Sequence, residues 1–204
     1  MSDSARPLAV VLAAGEGSRM GFPKALLRYA GAESFLSHLA AVFGEASCDV
    51  MAVVGAEAER VQAAHPGIRT VLNPHWREGQ LSSVHAGLKA ALQEGAHLIL
   101  IHLVDMPELR ADTVSRLCRA VAGEGSFPMY DGQRGHPLVL TAAGAREVLR
   151  ADAETLADAT FRLHLQGVDV PDPGIAVNFN TPDVYLRVFG TDPASVDGGT
   201  ALSE

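Results

Sequence analysis

Six apolar residues, Leu8-Ala-Val-Val-Leu-Ala13, run directly into Ala14-Gly15-Glu16-Gly17-Ser18-Arg19, and Lys24 follows shortly after. That order constrains the fold. A short apolar segment reads as a buried strand, and its carboxyl end opens into a loop whose glycines let amide N–H groups approach an anion closely. Arg19 offers a planar fork of donors and Lys24 a point charge. The spacing is not a dinucleotide fingerprint, because Met20 stands where the third glycine of G-x-G-x-x-G belongs and Gly21 comes one residue late. It is not a Walker A loop either, since Lys24 follows Pro23 and precedes Ala25. The competing reading is a plain surface turn with solvated charges.

Beyond this loop, strand-like and helix-like stretches alternate. The pattern predicts strands at 8–13, 50–54, 70–72, 98–104, 168–170 and 175–179. It predicts helices at 34–43, 57–64, from Ser82 or Ser83 to about Gln93, and at 112–122, 142–150, 155–164 and 182–189. Phe127–Tyr130 and Pro137–Leu140 flank Asp-Gly-Gln-Arg-Gly, a hairpin-like excursion. Alternation of this kind implies an α/β domain, a mostly parallel sheet with helices on both sides. Ligands bind such sheets outside the carboxyl ends of the strands. The first loop, the end of strand 98–104 and the end of strand 175–179 should therefore share one edge.

A chain of 204 residues is about one domain. Residues 1–189 are read as that domain and the Gly/Ser-rich 190–204 as a loose tail. The net charge of −8 argues against general nucleic-acid binding, whereas a local basic loop in an acidic chain suits a small polyanion. The apolar runs are too short to span a bilayer, and the N-terminus lacks a signal-peptide h-region. Cys48 and Cys118 have neither CxxC nor zinc spacing, which fits small, buried or half-buried thiols in a reducing cytoplasm.

Four further segments carry polar residues at element ends. Asn73-Pro-His75-Trp76 leads to Gly79, Ser82 and Ser83, which either cap a helix or present hydroxyls and orphan amides to a ligand. Asp105 follows a buried strand and precedes Met106-Pro107, a place for a metal-holding acid or for a turn initiator. His102, within that strand, reads as a core or supporting histidine. Gly132-Gln-Arg134-Gly135-His136-Pro137 reads as a hairpin turn with an incidental histidine or as a substrate-proximal turn. In Asn178-Phe-Asn180-Thr181-Pro182, Thr181 caps a helix with Pro182 at its first position, and the two asparagines point to one side of a strand end.

Together these motifs resemble the MobA/MocA branch of the nucleotidyltransferases with a glycosyltransferase-A-like fold, over about residues 8–188. The resemblance implies a Rossmann-like three-layer αβα sandwich with a mostly parallel mixed sheet. It implies transfer of a nucleoside monophosphate from an NTP to a phosphorylated small acceptor, such as a molybdopterin-type cofactor, with release of pyrophosphate. By analogy Leu12, Ala13, Ala14, Gly15, Glu16, Gly17, Ser18, Arg19, Lys24, Gly79, Ser82 and Ser83 bind the nucleotide. Arg19, Lys24 and Asp105 are the catalytic set, Asp105 and Asn178 hold Mg2+, and Gly135 and His136 approach the acceptor. The Leu-Ala-Ala14-Gly version of the loop resembles the CTP users rather than the GTP users. Val104 stands where the family has glycine and Met106 where a polar residue is usual. Arg150-Ala-Asp152-Ala-Glu-Thr155 replaces a Gly-Asp-x-Gly run, which leaves the acceptor open. Val104, Met106 and the neutral Asn178 motivate a second reading, a nucleotide- or cofactor-binding maturation chaperone for a molybdoenzyme partner.

Overall fold

The computed structural model describes residues 6–30 and 33–193. Of the expected tail, only residues 190–193 are among them; 194–204 lie outside the described residues.

The alternation seen in the sequence becomes a five-stranded sheet in the order β5-β4-β1-β6-β9. Its strands are β1 (Leu8–Ala13), β4 (Asp49–Val54), β5 (Arg69–Leu72), β6 (Leu98–Leu103) and β9 (Leu138–Thr141). The first four run parallel, and β9 is antiparallel to β6. A three-stranded sheet, β10-β7-β8, lies beyond: β7 (Gly125–Tyr130) pairs antiparallel with β8 (Gln133–Arg134) and parallel with β10 (Leu165–Asp169). A small antiparallel pair, β2 (Arg28–Tyr29) with β3 (Glu33–Ser34), stands apart.

Strand β1 shows why the layers form. All six of its residues are buried. Ala9, Val11 and Ala13 join one core, while Leu8, Val10 and Leu12 join the other. Side chains alternate across a strand, so a continuous apolar run serves two faces at once. The first core is covered by α1 (Phe35–Glu45), α2 (Ala58–Ala64), α4 (Ala111–Arg119) and α7 (Pro182–Phe189). The second is covered by α3 (Gln80–Gln93), α5 (Ala142–Arg150) and α6 (Leu156–Thr160). The result is the three-layer αβα arrangement with a mostly parallel mixed sheet.

Differences from the predicted elements have local causes. The start of α3 is not set by Ser82 or Ser83; its N-cap is Gly79 at φ 106°, so both serines sit inside the first turns. Residues 175–179 are not a strand. Pro173–Ala176 forms a 3-10 turn capped by the Asp172 carboxylate, and the chain then leaves extended without a sheet partner. Thr181 does occupy the N-cap of α7 with Pro182 following, but its hydroxyl makes no capping bond. The helix expected at 155–164 shortens to α6, and that at 112–122 ends at Arg119. Cys48 is buried, with its thiol donating to the Ala46 carbonyl, and Cys118 is half-buried; both are free thiols.

Helix α3 lies close on the sheet because Gly87 has no side chain. A Cβ there would come within 2.4 Å of Val10 Cγ1 and 3.0 Å of Val53 Cγ2. Gly87→Val overpacks that contact and should cost about 1–3 kcal/mol or more, read as a lower urea midpoint at unchanged m-value.

Candidate active site

The carboxyl ends of β1 and β6 open on one edge of the sheet, as the parallel order requires. Lys24 sits there, at the start of a 3-10 turn, Lys24–Leu26, that follows the glycine loop. Its Nζ donates to Asp105 Oδ2 at 2.6 Å and to Asn180 Oδ1 at 2.5 Å. Asn180 Nδ2 in turn donates to Asn178 Oδ1 at 2.8 Å. The ammonium and carboxylate are mostly shielded, with 18% and 15% of their side-chain surfaces exposed. A shielded ion pair is screened little by salt and holds its geometry well.

Each member is set by the backbone around it. Asp105 comes one residue beyond the end of β6, and the amide of the intervening Val104 donates to the Leu12 carbonyl, tying the end of β6 to the end of β1. The Phe179 amide donates to the Asp105 carbonyl at 2.8 Å. The Phe179 ring is fully buried, stacked on Phe189 and edge-on to Phe35 and Tyr185. That aromatic cluster anchors the extended segment, so Asn180 reaches Lys24 from the far end of the chain.

The glycine loop forms the other wall. Gly17 has φ 68°, and a Cβ on it would lie 2.3 Å from the Phe22 carbonyl oxygen. Only glycine satisfies both demands. Its carbonyl accepts from the amides of Met20 and Gly21, which closes the loop. Among the described residues, the amides of Gly15, Glu16, Gly17, Ser18 and Arg19 donate to no protein acceptor. A run of N–H groups without protein acceptors beside two cations has the chemistry to take an anion.

Loop, lysine and acid enclose a cavity of about 340 Å³. It is lined by Leu12, Ala13, Ala14, Gly15, Gly17, Ser18, Arg19, Lys24, Gly79, Asp105 and Asn180, with Trp76, Gln80, Leu103 and Val104. Glu16 is exposed and outside this lining. Ser82 and Ser83 are outside it too. Both hydroxyls take a bond from Asn73 Nδ2, and Ser82 Oγ also lies within bonding distance of the His75 and Gly79 carbonyls. They brace the turn that sets Gly79. The structure joins Asn180, not Asn178, directly to Lys24. Trp76 also lines the cavity, with the Arg77 guanidinium carbon over its ring, 4.1 Å from the centre. Gln80 carried no sequence signal beyond its place after Gly79.

Gly135 and His136 line a second cavity, also of about 340 Å³, and Gln80 borders both. A Cβ on Gly135 would lie 2.3 Å from the Ile175 carbonyl oxygen, so this turn packs flush on the 3-10 segment. The His136–Pro137 peptide is cis. Burial lowers the His136 pKa, and its Nδ1 has no hydrogen-bond partner. His102 is fully buried behind it, with the rings 6.4 Å apart and edge-on. Its Nε2 donates to the Met106 carbonyl at 2.9 Å, which supports the turn carrying Asp105.

Residues 9–168 match the model of the MobA-like NTP transferase domain. The chain belongs to that family. It is 35% identical over 161 residues to the bifunctional protein GlmU of Azorhizobium caulinodans, covering 74% of this chain and 36% of that protein. It is 36% identical over 121 residues to a probable molybdenum cofactor guanylyltransferase of Opitutus terrae, covering 59% of this chain and 58% of that one. The chain thus spans about a third to a little over half the length of these relatives. The solved structure of Rv0371c from Mycobacterium tuberculosis superposes with a TM-score of 0.77 at 26% identity, covering 92% of this chain and all of that one. No described helix is long and apolar enough to cross a membrane.

Burial pushes the His102 pKa down to about 3, with the neighbouring His136 adding to the effect. The folded protein therefore holds this imidazole neutral while the unfolded chain takes up a proton below about 6.5. Stability from this group is intact above that pH and falls as pH drops toward the folded value. Between pH 7 and pH 5, His102 should remove about 2 kcal/mol. Urea unfolding at the two pH values checks this, and His102→Asn should flatten the dependence by a similar amount.

Proposed function

We propose that this chain transfers a nucleoside monophosphate, with CMP favoured, from an NTP to a phosphorylated small acceptor of the molybdopterin type. The observation that carries the reading is the placement of Lys24, held by Asp105 and Asn180 on the edge of a cavity walled by free loop amides. The Opitutus relative's name supports a molybdopterin-type acceptor. The Leu12-Ala-Ala14-Gly loop supports CTP against the guanylyl activity in that relative's name. The two free thiols suit a reducing, cytoplasmic setting.

In this reading the amides of Gly15–Arg19 and the Arg19 guanidinium hold the β- and γ-phosphates. Lys24 lies toward the α-phosphate, where negative charge develops. An oxygen of the acceptor phosphate attacks the α-phosphorus in line. The bond from that phosphorus to the bridging oxygen breaks, and pyrophosphate leaves with the electron pair. Little covalent chemistry is asked of the protein, and positioning and charge stabilisation supply the acceleration.

Among the described residues no group of three or more His, Cys, Asp or Glu is arranged to hold a metal. One carboxylate with nearby amide oxygens still suits Mg2+, which takes few protein ligands and completes its shell with phosphates and water. Asp105 would hold it, with Asn180 or Asn178 as a neutral oxygen donor. Bound there, Mg2+ would neutralise charge on the phosphates.

A panel of CTP, GTP, ATP and UTP with Mg2+ tests base preference. The preferred nucleotide at 100 times its Kd should stabilise the fold by about 2.7 kcal/mol, read as a raised Tm. Pyrophosphate release with a phosphorylated acceptor tests transfer. Lys24→Ala should lower that rate by about 10²–10³-fold while leaving the protein folded. Undiminished turnover in that variant would sink the assignment. Tight nucleotide binding without release would favour a cofactor-binding chaperone serving a molybdoenzyme.

A further inference from the structure

The cavity walled by the glycine loop has two ends of different character. Arg19, Lys24, Asp105 and Asn180 bring charged and amide groups to one end. Leu12, Ala14, Trp76 and Leu103 bring apolar surface that is continuous with the core under α3. Among the described residues Trp76 is the one aromatic side chain lining this cavity, and it is the chain's one tryptophan. The residue is half-buried. The transfer reading gives work to the charged end and leaves this indole without a role.

Trp76 is braced on several sides. It opens a 3-10 turn, Trp76–Glu78, just ahead of Gly79. That turn is pinned from behind by the buried Asn73, whose Oδ1 accepts from the His75 amide and whose Nδ2 donates to Ser82 and Ser83. Gly55 clears the space where the indole's stem enters. A Cβ on Gly55 would lie 2.7 Å from the Ala14 carbonyl oxygen and 2.8 Å from Trp76 Cβ. Trp76 therefore stands beside Ala14, the residue just before the run of amides without protein acceptors. The Arg77 guanidinium over the ring adds a cation–π contact that restrains its rotation. A ring held in place in advance loses little entropy when a ligand packs on it.

We propose that the Trp76 indole is the wall against which the nucleobase packs, and so the residue that makes this cavity prefer nucleoside triphosphates to bare polyphosphate. The proposal rests on the transfer reading, which puts the phosphates at the loop amides and Lys24. With the phosphates there, the flat, apolar part of a nucleotide falls at the apolar end, beside Trp76. Every base offers a π-face to an aromatic ring, so this contact adds affinity for nucleotides without choosing among bases. Discrimination between bases is left to hydrogen bonds elsewhere in the cavity.

Two probes test this without turnover, both with Mg2+ and the full chain: whichever of CTP, GTP, ATP and UTP binds tightest, and inorganic tripolyphosphate, which has no base. By calorimetry Trp76→Ala should weaken the nucleotide by about tenfold or more while tripolyphosphate affinity stays unchanged. Trp76→Leu, which keeps an apolar filling, should lose a similar factor, and Trp76→Phe should keep most of the affinity. In the unsubstituted protein the nucleotide should shift or quench the tryptophan emission far more than tripolyphosphate does, a readout that needs no variant to fold. Unchanged nucleotide affinity in Trp76→Ala, an equal loss for both probes, or emission that the nucleotide leaves unmoved would overturn the wall. If no NTP binds, the transfer reading falls and the wall falls with it. Nucleotide binding without pyrophosphate release defeats transfer alone and leaves the role of Trp76 standing.

Discussion

The ammonium of Lys24 is the point on which this structure turns. It bonds Asp105, 81 positions away in sequence, and Asn180, 156 positions away. Three segments that share no secondary structure meet at one charge. Without it, the Asp105 carboxylate would face a mostly shielded site with no cation, a costly arrangement. Asn180 would also lose the partner that turns it inward. The parallel sheet makes the meeting feasible, because it brings the carboxyl ends of β1 and β6 to one edge. The buried aromatic cluster around Phe179 then brings the third segment to the same place.

The same edge divides into two hollows with different characters. One side is a loop of free amides and cations, suited to phosphates. The other is a more apolar recess with the Arg134 guanidinium at its rim. Helix α3 forms the partition, since Gln80 is its first residue and Gly79 sets its direction. Asn73, Ser82 and Ser83 act through that partition: their mutual bonds fix the turn before the helix. Behind the partition lie His102 and His136, whose imidazole pKa values burial lowers.

Much of this was legible in the residues. The apolar run of β1 ending in a glycine-rich loop marked the phosphate side, because strand, loop and cations are adjacent in sequence. Asp105 was legible for the same reason, as an acid closing a buried strand. Errors fell where spacing was a poor guide. Residues 175–179 have the apolar character of a strand, yet Pro173 and the Asp172 carboxylate impose a 3-10 turn. The expected alternation of Asn178 and Asn180 on one strand face then gives way to a chain of bonds in which Asn180 reaches Lys24 first.

Local chemistry therefore set the layers, the sheet edge and the identity of the cation and acid, since periodicity and turn residues act over a few positions. The choice of Asn180 over Asn178, the turning of Ser82 and Ser83 away from the cavity, and the presence of Trp76 and Gln80 along it were decided in three dimensions. Those features depend on which distant carbonyl, ring or amide arrives beside them. Such contacts between remote segments leave no period in the chain, and only the packed fold brings them together.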